Sequence, residues 1–218
     1  MCAEGYIKVV AKTDLTIADI EARLRANACL LPKADPFPKN YFRKEPRAAS
    51  VLVPLFREND EWNLLFIRRT EHVSDRHSGQ VAFPGGKVDA EDNDAVAAAL
   101  RECKEEIGVA ARQINVLGCL KNYRTVSNYL VTPVIATIDW PVDLSIDNTE
   151  VDRVFSIPLS WLSDPANFQI KERLLPQFDV SLPVYYYQRY QGELLWGITA
   201  KITVSLLMSL GFRFPSAP

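Results

Sequence analysis

Histidine is almost missing from this chain of 218 residues, which has only His72 and His77. Both stand in one short polar stretch with no serine or cysteine nucleophile motif beside them, so a His-activated nucleophile is not indicated. Cysteine is also sparse: Cys2, Cys29, Cys103 and Cys119 show no CxxC pairing. They read as ordinary buried thiols of a reducing cytosol. Neither sign of charge prevails, with a net charge of -2 and a pI near 5.8. A broad electrostatic footprint for nucleic acid is therefore not expected, although local basic pockets remain open. No apolar run reaches the ~18–20 residues that span a bilayer. The opening MCAEGYIKVV lacks the charged-then-apolar pattern of a signal peptide, and the closing Phe214-Pro-Ser-Ala-Pro218 is no targeting or lipidation signal. The expectation is a cytoplasmic protein with no nucleic-acid and no membrane partner. Internal repeats and low-complexity segments are absent as well.

What is present is apolar substance for one sizeable core, 48% of the residues. Thr16 to Ala28 carries Ile17, Ile20 and Leu24 on one helical face, with Thr16 and Asp19 placed to start the helix. Leu31 to Arg47 holds Pro32, Pro36, Pro38 and Pro46 among charges and reads as an extended linker. Strands are expected at Ala48 to Phe56 and Leu64 to Ile67, with a turn at Glu58-Asn59-Asp60, while residues 70–82 look irregular. A helix follows from Asp94 to Ile107, with Asp92, Asn93 and Asp94 as candidate caps and Gly108 as its left-handed end. Further strands are read at Ile114 to Leu120, Leu130 to Ile138 and Glu150 to Ile157, and Pro158 begins a short helix. Val184 to Tyr190 turns at Gln191-Gly192 into Leu194-Leu195-Trp196, before an apolar helix from Thr199 to Leu210 closed by Gly211. This order implies an α/β fold, a mixed sheet sandwiched between helices. The expected division is residues 1–47, a helix and proline-rich segment, and residues 48–218, a single domain including the C-terminal helix.

The most informative stretch is Phe83 to Val109. Glu102, Glu105 and Glu106 stand at i, i+3 and i+4, so a helix puts all three carboxylates on one face. Like charges at that spacing destabilise an isolated helix by roughly 0.2–0.5 kcal/mol per pair. A hard divalent cation, which prefers oxygen ligands, is the natural counter-charge. The Gly85-Gly86 pair ahead of the helix allows close backbone approach, and Arg101 can pair with a carboxylate and hold the array.

Together these residues resemble the Nudix box, Gx5Ex7REUxEExGU with U aliphatic, the signature of hydrolases of nucleoside diphosphates linked to another moiety. Arg101, Glu102, Cys103 in the aliphatic place, Glu105, Glu106, Gly108 and Val109 match its second half. The first half is one residue longer than the general pattern: Asp92, not glutamate, stands six residues after Gly86, and is read as a cap rather than a ligand. The branch similar to coenzyme A pyrophosphatases has this longer form, with Phe-Pro-Gly-Gly leading to lysine-x-aspartate, here Phe83 to Asp89. That branch also has the upstream pattern LLTxR(S/A)x3Rx3Gx3FPGG. Leu65 to Thr70 and Gly79 to Gly86 fit it, and one extra loop residue brings Arg76, beside Asp75, to its second arginine. Asn148-x-Glu150-Val151, Pro158 to Leu162 and Trp196-Gly197-x-Thr199-Ala200 resemble the same branch, so the likeness runs from about residue 48 to 210.

The resemblance implies a Nudix-type α/β/α sandwich with a mixed β-sheet, and hydrolysis of the pyrophosphate of coenzyme A or its derivatives with Mg²⁺ or Mn²⁺. Glu102 and Glu106 are the implied ligands. Glu105 is either a further ligand or the base that orients the attacking water, and Glu150, on a later loop, is the alternative base. Arg69 and Arg76 would bind phosphate oxygens in the fork geometry open to arginine. Gly79, Phe83, Gly85 and Gly86 complete the implied substrate site. Tyr185, Tyr186, Tyr187 and Tyr190 read either as an adenine pocket or as a strand alternating into the core. Two other functions stay open: Nudix hydrolysis of ADP-ribose, dinucleotides or nucleotide sugars, and a module that senses a nucleotide without cleaving it. A homo-oligomer is compatible with the sequence.

Overall fold

A computed structural model describes residues 15–27, 37–38, 40–71 and 78–214. Its elements are, in order, α1 (Ile17–Asn27), β1 (Arg47–Glu58), β2 (Glu61–Arg69), β3 (Val81–Ala82), β4 (Gly85–Lys87), α2 (Ala95–Ile107), β5 (Ile114–Cys119), β6 (Tyr123–Arg124), β7 (Tyr129–Ile138), β8 (Val151–Pro158), α3 (Leu159–Leu162), β9 (Phe168–Leu175), β10 (Val180–Tyr190), β11 (Glu193–Trp196) and α4 (Gly197–Ser209).

The first β-hairpin follows from local chemistry. Asn59 and Asp60 both take the left-handed conformation, which matches a two-residue hairpin turn to the twist of its strands. β1 and β2 then pair antiparallel, with Leu55 opposite Leu64. On its other side β1 runs parallel to β7 from Arg47 opposite Tyr129 to Leu55 opposite Thr137, and it pairs antiparallel with β4. β8 joins β2, and β5 and β6 join β7, giving a mixed eight-stranded sheet.

Period-two alternation divides the apolar residues of the central strands between two cores. Leu52 and Phe56 of β1 and Leu65 and Ile67 of β2 face α2, against Ala99, Cys103 and Ile107. Val53, Leu55, Leu64 and Phe66 face the other way, against Leu159, Leu162 and the Leu206-Leu207 side of α4. Leu15, Ile20 and Leu24 belong to this second core, so the N-terminal helix shares the core of the residues that follow it. It is tied there by Trp62 Nε1 donating to Leu15 O at 2.7 Å and Arg23 to Leu210 O at 2.5 Å. Helices thus cover both faces of a mixed sheet, the α/β/α arrangement expected. Among the described residues, no helix is long and apolar enough to cross a membrane.

Three features differ from expectation. Val81–Ala82 and Gly85–Lys87 form short strands within and after the irregular stretch. Phe168–Leu175 is a strand despite its charged run Lys171-Glu172-Arg173, because it pairs along its length with β10, and with β11 these make a separate three-stranded sheet. The thiols also divide: Cys103 is buried but Cys119 is exposed, because Cys119 ends β5 at the surface. Cys2 and Cys29, like most of the proline-rich linker, lie outside the described residues.

Candidate active site

The site is built where β4 passes beneath α2. Asp94 starts that helix by accepting from Ala97 N at 2.8 Å. Gly108 ends it at φ 78°, its N–H bonded to Lys104 O, a left-handed position that suits glycine. The loop after β7 seals the same end: Ser145 N donates to Ile107 O and Asp147 N to Glu106 O, both at 3.0 Å. Two helix carbonyls that would otherwise lack partners are thereby satisfied.

Glu106 turns inward and is 2% exposed. One carboxylate oxygen accepts the Gly85 N–H at 2.8 Å; the other, Oε1, is buried with no hydrogen-bond partner. Burial pushes its carboxyl up to about 8, with the Gly85 bond and Arg69 opposing the rise and Glu102 and Glu150 adding to it. Glu102 is also raised, first by burial, with Glu105 and Glu150 contributing and Arg101 opposing. A Cβ on Gly86 would stand 2.6 Å from Glu102 Cδ, so the second glycine is the space into which that carboxylate fits.

Arg101 organises the outer side of the site. Its Nε and Nη2 grip both oxygens of Asp92 at 3.0 and 2.9 Å. Nη1 reaches Glu105 at 2.9 Å and Glu102 at 3.1 Å, and Nη2 reaches Lys87 O at 3.1 Å. Asp92 is therefore not the helix cap expected of it. Asp94 takes that role, while Asp92 joins the start of the Gly86–Asp94 loop to the helix, also accepting from Asp89 N at 2.9 Å. The Arg101 guanidinium holds the Asp92 carboxyl below the usual carboxylate range.

The other expected residues divide. Arg69 and Glu150 act electrostatically on Glu106, Arg69 opposing and Glu150 adding to its rise. Gly85 donates its N–H to Glu106. Phe83 is 3% exposed and stacked on Phe66 at 4.8 Å, which anchors the entry to β4 in the core. Gly79 takes φ 68° beside Glu71, a turn before β3. Tyr187 is buried and Tyr185 packs on the core, as the alternating strand predicts, while Tyr186 stacks on Trp196 across the sheet. Tyr190 also packs on the core, because the β10–β11 register shifts between Tyr186 and Arg189. Arg76, His72 and His77 lie outside the described residues. The Ser145 and Asp147 contacts carry no sequence signal, since they are made by backbone N–H groups.

Among the described residues, no three His, Cys, Asp or Glu side chains stand grouped as a ready metal cage. Glu105 is drawn to Arg101 instead. The donors nevertheless suit a hard divalent cation. Two desolvated carboxyls, both pushed toward the neutral form, share one helix face, and one buried oxygen lacks any partner; a cation there would satisfy that oxygen and favour both ionised forms.

The NUDIX domain model matches residues 46–178. An "Uncharacterized Nudix hydrolase NudL" of Yersinia pestis (strain Pestoides F) is 34% identical over 163 residues, covering 75% of this chain and 79% of the relative. Its counterpart in Yersinia pseudotuberculosis serotype O:1b (strain IP 31758) matches equally. Solved structures are more distant. A C. elegans Ap4A hydrolase binary complex is 22% identical with TM-score 0.44, covering 52% of this chain and 81% of that one. A MutT/nudix family protein from Enterococcus faecalis is 15% identical with TM-score 0.49, covering 87% and 69%. The chain belongs to the Nudix family, on the family model and the 34% identical relatives. It is a hydrolase of phosphorus-containing anhydrides.

Proposed function

We propose that this Nudix hydrolase cleaves the pyrophosphate of coenzyme A or a derivative, giving 3′,5′-ADP and a 4′-phosphopantetheine product. The observation that carries the catalytic part is the Glu102–Glu106 pair, with the buried, unpartnered Glu106 Oε1 held over Gly85 and Gly86 of β4. Glu102 and Glu106 would hold Mg²⁺ or Mn²⁺. When bound, that ion neutralises diphosphate charge and lowers the pKa of bound water. The chain's own residues supply the rest. Gly85 N–H orients Glu106, and Arg101 restrains Glu102 and Glu105. Arg69, near Glu106, binds a phosphate oxygen, with Arg76 as a second phosphate ligand. Glu150, exposed and acting electrostatically on half-buried Glu102 and buried Glu106, accepts the proton of the attacking water. This role suits it better than Glu105, which is tied to Arg101.

Coenzyme A as substrate is supported by the run from Gly79 to Gly86 and by the extra residue before Arg101, which Asp92 and Arg101 absorb in a paired loop. The test is a panel of coenzyme A, dephospho-coenzyme A and ADP-ribose with Mg²⁺ or Mn²⁺, products identified by mass. Preference for the 3′-phosphorylated substrate is expected. Indifference to that phosphate would transfer the reading to ADP-ribose, dinucleotides or nucleotide sugars. An intact set of Glu102, Glu105 and Glu106 argues against a sensor that does not cleave, and absence of turnover with every metal would reverse that judgement.

A further inference from the structure

β8 leaves regular pairing at one point, next to the site. β2 and β8 run in step from Asn63 opposite Pro158 to Arg68 opposite Arg153, and then Arg69 pairs with Val151. Asp152 is thus one extra residue, a bulge, and a bulge re-aims the side chains that follow it. Unbroken alternation would set Asp152 opposite Arg69 on the α2 side of the sheet. The bulge sets Val151 there instead, fully buried in the α2 core, and turns Asp152 to the other side. It also leaves Glu150 at the edge of the site, where its carbonyl accepts Thr70 N at 3.0 Å. Thr70 Oγ1 donates to Asn148 O at 3.2 Å.

Behind this bulge, on the side away from α2, lies an ion cluster separate from the Glu102–Glu106 carboxylates. Glu193, the first residue of β11, has a side chain 7% exposed, and its Oε1 stands 3.5 Å from both Arg68 Nη1 and Arg153 Nη1. Arg68 also meets Asp152 at 3.5 Å and Glu71 at 3.2 Å. Arg68 and Arg153 are the last regular cross-strand pair before the bulge. One carboxylate from the small sheet therefore clamps that pair, and Arg68 in turn holds the bulged residue.

Burying a carboxylate between guanidiniums adds little net stability, since apolar replacements of similar volume are often as stable. What it supplies is direction. We propose that Glu193 is a positioning residue: through Arg68 and Arg153 it fixes the Asp152 bulge and so sets Glu150 against Glu102 and Glu106. This rests on the reading of Glu150 as proton acceptor.

The test is a double-mutant cycle of Glu193→Gln and Glu150→Gln, measured on coenzyme A with Mg²⁺, or on ADP-ribose if the wild type turns that over faster. Glu193→Gln is expected to lower kcat about 10-fold with KM unchanged and thermal unfolding nearly so. In the Glu150→Gln background it is expected to lower kcat no further. Should Glu193→Gln fail to fold, Arg153→Gln, at a side chain 43% exposed, takes its place with a smaller loss in the same direction. Unchanged kcat in a folded Glu193 variant overturns the proposal, as does a loss that multiplies with that of Glu150→Gln. Full activity of Glu150→Gln alone would instead overturn the proton-acceptor reading beneath it, a result distinct from either.

Discussion

Gly85 and Gly86 are neighbours in sequence, yet replacing each by alanine should damage different things. A Cβ on Gly86 would meet only the end of the Glu102 side chain, with Cδ at 2.6 Å and Oε2 at 2.8 Å. Restoring an ordinary separation of ~3.5 Å moves the carboxylate by about 1 Å. The end of a flexible side chain can make that move, so Gly86→Ala should cost no more than about 1 kcal/mol of stability. Activity is far less tolerant, because misplacing a catalytic group by ~1 Å can cost about 100-fold. At Gly85 the obstruction is backbone. The new Cβ would press on Ser50 O and stand 2.6 Å from Val51 Cα, at a φ of 152°. Neither atom can yield without breaking the β1–β4 pairing, so Gly85→Ala should cost about 3 kcal/mol or more. The assay is thermal unfolding of both variants beside kcat as a function of Mg²⁺ concentration. Wild-type turnover of Gly86→Ala, or a loss of melting temperature in it as large as in Gly85→Ala, would refute the reasoning.

Three further outcomes are expected. Glu106 titrates near 8 in the folded protein and near ~4.3 unfolded, so between these values the unfolded chain has already lost the proton that the folded one keeps. Metal-free stability should therefore fall as the pH rises from about 4 to 8, by ~2–5 kcal/mol. Glu106→Gln should remove most of that slope, leaving the smaller part from Glu102, and abolish the activity, as read by denaturant melts in EDTA beside turnover. Arg101→Lys keeps the charge but loses the fork that grips Asp92, Glu102 and Glu105. A drop in kcat of about 10-fold is expected, and lysine restoring wild-type turnover would show the geometry to be dispensable. Finally, in a variant whose other two cysteines are serine, a thiol reagent should label Cys119 at once. Cys103, pushed up to about 12 by burial, should react only on unfolding, and prompt labelling of both would contradict the packing of α2.

The parts of the fold that were legible in the sequence are those fixed within a few residues of chain. The Asn59-Asp60 and Gln191-Gly192 turns, the α2 helix ending at Gly108 and the alternation of Tyr185 to Tyr187 all follow from local dihedral preference and periodicity. β9 was not legible: its charged run Lys171-Glu172-Arg173 argues against a strand, and it exists because β10 supplies hydrogen-bond partners from Leu175 to Phe168. Asp92 could be located but not interpreted. Asp92, Asn93 and Asp94 offer equal caps, and only the return of Arg101 across nine residues of chain decides which of them caps the helix and which one grips the guanidinium.

The same division holds for the site. Helical spacing alone places Glu102, Glu105 and Glu106 on one face, because 3.6 residues make a turn whatever surrounds them. Which of the three is buried, which is held by Arg101 and which oxygen is left without a partner depends on β4 passing under α2, a contact set by the pairing of Ala49–Val51 with Gly85–Lys87. The bulge at Asp152 is of the same kind. Nothing in Glu150-Val151-Asp152-Arg153 announces an unpaired residue, since a bulge is a mismatch between two strands and belongs to neither strand alone.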